Sequence, residues 1–354
     1  KGAQFGSKMG WERANWFGPP VKYTLGRPDW LAAVIEEQTA VRHAVGIFDQ
    51  TSFGKLLVHG RDAHALLERV CANRIGNIGD LTYTPMLNRK GGYESDITVQ
   101  RLGEREFFIV TGSAQPVRDL AWLRRHAAAG EDVEIEDVTD CWSVISILGP
   151  KASNLIEELA LNSARAVPAS YVGGPGYELY VPVEDAAALY DRLCAAGGAF
   201  GLRDCGYYAL DALRIEAGRR AFGAELSPDC TPYEAGLGFA VQLDKPVEFI
   251  GREALRRAPR SEFAQRLLMF TFPATALFAW GGEPILREGG PVGELSSVGY
   301  SAALGQMVGM GFVHSAQPER VEPLLASRYE IEVSGTRIAA RASMKAPWPA
   351  QCPA

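Results

Sequence analysis

From about Arg266 onward the chain is a succession of short apolar segments, each stopped by glycine or proline. They read RLLMFTF, PILREG, PVGELSSVGY, MVGMGFV, SRYEIEVSG and TRIAARAS. Almost no helical period runs through them. Strands this short bury a face only by pairing with one another, so the run predicts a small all-β barrel or sandwich. No other feature narrows the fold as much, because it separates the C-terminal part from everything before it.

Upstream, helical and strand patterns intermix. Asp29 precedes a face made of Leu31, Val34, Ile35, Val41 and Val45, which predicts a capped helix. FDQTSFGKLLVHG reads as a turn and a strand, and Asp62 as the cap of a helix carrying Leu66, Leu67 and Val70. MLNRKGGYESDITV (86–99) reads as a hairpin, extended by REFFIVTG. Ser113, with Pro116 just inside, predicts the start of a third helix through Trp122 to His126. Strands at EDVEIEDV, SVISIL and GYELYVP alternate irregularly with helices at KASNLIEELA, EDAAALYDRLCAAG and YYALDALRIEAG. Strict β-α alternation is missing, so the class is α+β. The expected organisation is a linking segment over 1–28, an α+β region of two subdomains over 29–255 and a β-barrel over 256–354. The linker into the barrel is expected within 245–262.

Composition excludes several classes. At 354 residues, with 47% hydrophobic and 22% charged residues, the chain is a globular protein of two or three domains. A net charge of −6 supplies no basic footprint for nucleic acid or an anionic membrane. No run approaches the roughly 20 apolar residues of a membrane span. The N-terminus has neither a signal-peptide core nor an initiator Met, and the expectation is a processed or excised piece of a longer polypeptide. Six scattered cysteines without a C-x-x-C pair suit reduced, mostly buried thiols. Five histidines without H-x-x-x-H or H-E-x-x-H point to no built-in metal centre. Nucleotide-binding and hydrolase-elbow motifs are absent too.

Carboxylates and aromatics are left to carry any chemistry. Asp96 stands just past the Gly91-Gly92 turn, where an acid usually serves the turn itself. Glu178 alternates with Tyr177 and Leu179 in GYELYVP and on pattern alone faces solvent. The tryptophans and tyrosines, among them Tyr83 and Tyr171, read as core.

Taken together and in order, several segments resemble the folate-binding aminomethyltransferase family, which includes the glycine cleavage T-protein and the C-terminal halves of sarcosine and dimethylglycine dehydrogenases. They are GWERANWF, AVRHAVGIFDQTSFGKLLVHG, YTPMLNRKGGYESDITV, FFIVTGSAQPVRDLAWLRRH, YVGGPGYELYVP, GRRAFGAELSPDCTPYEAGLGFAVQLDK, FIGREAL and GGEPILREGGPVGELSSVGYSAALGQMVGMGFV. The resemblance covers nearly the whole chain, and GWERANWF favours the dehydrogenase branch over a free-standing T-protein. It implies two intertwined α+β domains plus a C-terminal barrel, around a central hole that holds tetrahydrofolate.

By that resemblance Asp96 lies beside the reactive folate nitrogens, where an anion stabilises developing positive charge and moves a proton. Backbone N–H groups are expected to keep its pKa low. Glu178 matches the pterin-reading acid, suited to a bidentate grip on the 2-amino group and ring N–H. Tyr83, Met86, Leu87 and Tyr171 match the pocket, with Arg219 and Trp280 in matched segments near it. Members usually read Gly-Glu where this chain has Gly173-Gly174, and the interval from KASNLIEELA to SYVGG is short, only LNSARAVPA intervening. The implied function is capture of a formaldehyde-level unit from an N-methyl amine of the sarcosine or dimethylglycine type, giving 5,10-methylenetetrahydrofolate. FAD would sit on a partner dehydrogenase or oxidase, or on an N-terminal half outside this chain. The implied compartment is the cytoplasm, or the mitochondrial matrix in a eukaryote. The alternatives are a demethylase module for an amine oxide, sulfonium or aryl methyl ether, and a non-catalytic folate-binding subunit.

Overall fold

The computed structural model describes residues 1–21, 24, 26–159 and 165–348. The chain forms two compact units and passes between them several times. One comprises Lys1–Thr51, Trp142–Arg220 and Leu267–Ala354, the other Ser52–Cys141 and Ala221–Arg266. The first unit opens with β1 (Ala3–Lys8), β2 (Trp11–Phe17), α1 (Leu31–His43) and β3 (Val45–Asp49). The second then builds β4 (Gly54–His59), α2 (Ala63–Val70), β5 (Leu81–Leu87), β6 (Tyr93–Arg101), β7 (Glu106–Thr111), α3 (Pro116–His126) and β8 (Glu134–Asp137). Back in the first unit come β9 (Trp142–Leu148), α4 (Ala152–Leu159), β10 (Arg165–Pro168), β11 (Gly176–Pro182), α5 (Ala186–Gly197), β12 (Leu202–Asp204) and α6 (Tyr207–Glu216). The second unit adds α7 (Arg252–Arg257). Last come β13 (Glu262–Phe272), β14 (Pro284–Arg287), β15 (Gly290–Ser301), β16 (Gln306–Arg320), α8 (Val321–Ala326), β17 (Tyr329–Val333) and β18 (Thr336–Ser343).

These last six strands close into a barrel in the order β13-β16-β15-β14-β17-β18, which is the architecture their Gly/Pro punctuation predicts. Each α+β part has its own five-stranded sheet: β10-β11-β9-β3-β12 in the first unit and β5-β6-β7-β4-β8 in the second. In the second unit, α2 and α3 cover one face of the sheet. Leu66, Leu67 and Val70 of α2 and Leu123 of α3 pack there on Ile97, Val99, Phe107 and Ile109. In the first unit, Leu155 of α4 and Leu189 and Leu193 of α5 bury Ile47, Ile147, Leu179 and Val181. No helix among the described residues is long and apolar enough to cross a membrane.

The local readings need five corrections. Residues 1–17 are not a plain connector: β1 and β2 pair antiparallel, and the Phe17 N–H donates to the buried Glu37 carboxylate at 2.7 Å. Helix α1 starts after Trp30, with no side-chain cap from Asp29. Asp62 does flank α2, but its carboxylate instead accepts from the Asp132 N–H at 2.9 Å and from Arg61. Helix α3 begins at Pro116 with Gln115, not Ser113, at its cap. The 245–262 stretch is more than a linker, since it forms α7 and buries Lys245, Phe249 and Leu255. Lys245 donates from Nζ to the carbonyls of Glu68 and Cys71, at 2.6 and 2.7 Å, and so closes the end of α2. The first part of the shortened interval before Tyr171 falls on residues 160–164, outside the described residues, as does Cys352, while its remainder forms β10.

Candidate functional site

The GGYESD turn of the second unit is docked rather than free. Gly91 has φ +86°, which favours glycine, and a Cβ on Gly92 would lie 1.8 Å from the Pro228 carbonyl oxygen. Asn88 ties the turn together. Its Oδ1 accepts from the N–H groups of Lys90 and Gly92, at 2.8 and 3.1 Å, and its Nδ2 donates to the Pro228 carbonyl at 3.0 Å. The Tyr93 N–H donates to the Ser227 carbonyl at 3.1 Å. Strand β6 therefore starts from a clamped end.

Alternation along β6 then decides what faces where. Tyr93, Ser95, Ile97 and Val99 are buried, while Glu94, Asp96 and Thr98 lie on the other face and are partly exposed. Pro85 stands opposite Asp96 and Tyr83 opposite Thr98, which makes Tyr83 the diagonal neighbour of Asp96. The Tyr83 hydroxyl donates to Asp96 Oδ2 over 3.4 Å. Phe239, 69% exposed, brings its ring to 6.5 Å from that of Tyr83. Asp96 is thus partly exposed beside Tyr83, whose ring has Phe239 as a neighbour.

Its protonation differs from expectation. Burial first, then the charge of Asp119, push the Asp96 carboxyl up to about 7, against weaker downward pulls from a backbone N–H and Tyr83. Backbone hydrogen bonding does not win here, because removing the carboxylate from water beside a second acid outweighs it. At neutral pH Asp96 exists in both forms.

Met86 and Leu87 have no exposed surface. Met86 belongs to the hydrophobic core of the unit, because in register it stands opposite the inward-facing Ser95. The two residues support the Tyr83–Asp96 face from behind and present no surface of their own.

In the first unit, Glu178 lies in the middle of β11, opposite Val167 of β10 and Ser146 of β9. Leu179 and Val181 face the helices α4 and α5, so Glu178 and Tyr180 share the opposite face. The solvent-facing reading of Glu178 fails, as it is half-buried and its Oε2 accepts a 2.5 Å bond from the Tyr180 hydroxyl. Burial raises its pKa, and the Tyr180 bond opposes the rise. Tyr180 is itself buried, with the Arg165 guanidinium 5.0 Å from its ring centre. Tyr171, half-buried, donates its hydroxyl to the Arg220 carbonyl at 3.0 Å. Gly173 and Gly174 both have positive φ, +72° and +77°, a backbone in which an acidic side chain at 174 would be strained. Arg219 is exposed, and its carbonyl accepts from Arg214. Trp280, 55% exposed, packs against Trp30 and Phe278, with ring centres 6.0 and 4.9 Å away. With Tyr208 and Tyr300 these rings line a cavity of about 210 Å³. Among the described residues, His59, Glu134 and Glu136 bring ligand-type atoms within 4.8 Å of one another at the sheet surface of the second unit.

Sequence reasoning missed two residues around the Tyr83–Asp96 pair, namely Phe239, which neighbours the Tyr83 ring, and Asp119, whose charge acts on Asp96. Phe239 sits in a single 3₁₀ turn, Gly238–Ala240, that has no period to read. Asp119 lies in the first turn of α3, where an acid ordinarily faces water.

Two intertwined α+β parts, each with its own five-stranded sheet, followed by a six-stranded barrel, define a recognisable class. The GCVT N-terminal domain matches residues 1–166 and 158–245, and the glycine cleavage T-protein C-terminal barrel domain matches residues 265–348. The chain belongs to the glycine cleavage T-protein family of folate-dependent aminomethyltransferases.

Within that family, the pyruvate dehydrogenase phosphatase regulatory subunit of Mus musculus is 32% identical over 97% of this chain and 44% of its own length. The dimethylglycine dehydrogenase of Mus musculus is 34% identical over 87% of this chain and 38% of its own. An aminomethyltransferase of Shouchella clausii is 32% identical over 89% of each. The chain therefore spans less than half the length of the two mouse relatives. The crystal structure of the glycine cleavage aminomethyltransferase T from Bartonella henselae superposes with a TM-score of 0.83, at 23% identity, over 99% of this chain and 95% of that one. That likeness speaks for the fold.

Proposed function

We propose that this chain transfers a one-carbon unit at the formaldehyde oxidation level from an N-methyl amine to tetrahydrofolate, giving 5,10-methylenetetrahydrofolate. The observation that carries the reading is Asp96: a partly exposed acid, hydrogen-bonded by Tyr83, whose carboxyl is pushed up to about 7 by burial and the charge of Asp119. A group with that pKa both takes and returns a proton under working conditions, and its anion stabilises positive charge developing on an amine.

The residues suit a reduced folate. Glu178 is a carboxylate held largely out of water, and its hydrogen-bond donor among the described residues is Tyr180. Two N–H donors from a pterin edge would offset the burial that raises its pKa. Tyr83 and Phe239 supply ring faces for a flat heterocycle beside Asp96. Folate supplies the two nitrogens that accept the one-carbon unit. In this reading Asp96 carries the proton, Tyr83 orients the acid, Glu178 and Tyr171 hold the pterin, Met86 and Leu87 brace β5, and Arg219 and Trp280 border the folate. Amine oxidation would belong to a flavin-bearing domain or partner, of the kind that the greater length and the name of the dimethylglycine dehydrogenase suggest.

The test is formaldehyde capture by tetrahydrofolate, with the product identified by its oxidation state. Acceleration with a methylene product is expected. A 5-methyl product would mean direct methyl transfer from another donor. Folate binding without acceleration would favour a non-catalytic role, the reading to which the name of the mouse regulatory subunit lends support.

A further inference from the structure

We propose that Asp119 is a positioning residue for the reaction assigned to Asp96. Its buried negative charge, seated behind β6, governs the proton that Asp96 exchanges. The inference rests on the role proposed for Asp96 and deepens it.

Asp119 is 1% exposed. Its Oδ2 accepts from the Thr111 hydroxyl of β7 at 2.5 Å and from the Ser95 hydroxyl of β6 at 2.9 Å. Its Oδ1 is buried and has no hydrogen-bond partner among the described residues. Two hydroxyls can be bridged by a neutral amide, and a buried carboxylate with one unpartnered oxygen is a costly way to join a helix to a sheet. The retained charge calls for another role.

The chain shows where that charge acts. Ser95 immediately precedes Asp96, so the hydroxyl that anchors Asp119 and the carboxyl of Asp96 project from opposite faces of one strand. The titratable groups that act on Asp96 are Asp119, Tyr83 and Glu225. Those that act on Asp119 are Arg118, which lowers its pKa, and Glu94, which raises it. Arg118 is paired with Glu94, so its charge is shared and does not cancel that of Asp119. Burial lifts Asp119 itself to about 6, against the two hydroxyl bonds. Above that pH its anion repels a second negative charge on Asp96. Asp96 then keeps its proton closer to neutrality and is a stronger base when it gives the proton up.

The test uses the full chain. In Asp119→Asn, an isosteric amide, the Asp96 carboxyl midpoint read by ¹³C NMR is expected to fall by on the order of one pH unit. The pH–rate limb for methylene-folate formation should move down with it, while folate affinity stays unchanged. Asp119→Glu, which restores the charge, should bring the midpoint back up. If Asp119→Asn does not fold, Ser95→Ala serves instead. It removes a donor that keeps Asp119 ionised, so the Asp96 midpoint should again fall, by less. An unmoved midpoint in a folded variant overturns the inference and leaves Asp119 a structural bracket. Full activity in Asp96→Asn would instead overturn the role of Asp96 and leave the NMR result standing.

Discussion

Asp96 on β6 and Glu178 on β11 are the same kind of object. Each is a half-buried acid on the face of a five-stranded sheet turned away from its packing helices. Their neighbours differ. A second acid, Asp119, stands behind Asp96, and the Tyr83 bond is long at 3.4 Å. Glu178 has a phenol as close partner, at 2.5 Å, and burial as the cause of its raised pKa. Burial raises both acids; at Asp96 the charge of Asp119 adds to it and carries the carboxyl up to about 7, whereas at Glu178 a single short hydrogen bond opposes the rise and favours a fixed acceptor. The proposed division of labour, chemistry at Asp96 and recognition at Glu178, follows from that difference in neighbours.

The harshest way to break the comparison is Gly92→Ala. The added Cβ meets the Pro228 carbonyl at 1.8 Å, so the turn that aims β6 must open. A stability loss of several kcal/mol is expected, in the range of the largest single-site effects. Thermal or denaturant unfolding measures it, and an unchanged midpoint would show that the docked turn does not frame Asp96.

Glu178→Gln comes next. It keeps size but replaces one acceptor with a donor, so folate affinity should fall on the order of tenfold to a hundredfold, as a lost charge-assisted bond predicts. Once folate is saturating, the rate should be little changed. Calorimetry and single-turnover kinetics separate the two, and a rate defect with intact affinity would reverse the roles assigned to the two acids.

Tyr180→Phe makes the smallest change. The Tyr180 bond lowers the Glu178 pKa, so its loss raises that pKa further. Folate binding that needs the anion should then weaken first at the acid end, with the acid limb of the affinity profile displaced to higher pH. A limb that stays in place would mean that Tyr180 does not hold the anion.

The two regions also differ in how much of them the sequence exposes. The barrel strands can be read because each ends in a residue that ends strands, and the turn before Asp96 because Gly-Gly marks a tight reversal. Period-two alternation puts Asp96 and Tyr83 on one face but says nothing of Asp119, whose role depends on β6, β7 and α3 meeting. The docking of Gly92 on Pro228 is equally hidden, since it joins distant parts of the chain. For Glu178 local pattern chose the right face but misjudged its exposure: an acid alternating with apolar residues reads as solvent-facing, whereas Tyr180 and the surrounding protein half-bury it. The misread caps have a similar cause, since the Asp62 oxygen goes to the Asp132 N–H rather than to its own helix. The roles of the two acids enter through the resemblance of ordered segments.

Single-turnover formation of methylenetetrahydrofolate by Asp96→Asn, with folate affinity measured on the same protein, tests the central claim most directly. The amide keeps the shape and the Tyr83 contact but can neither carry the charge nor exchange the proton. The account predicts near-normal folate affinity and a rate lower by on the order of 10²–10⁴-fold, the span of general acid–base contributions. A rate equal to that of the unmodified protein, at equal affinity, would contradict it.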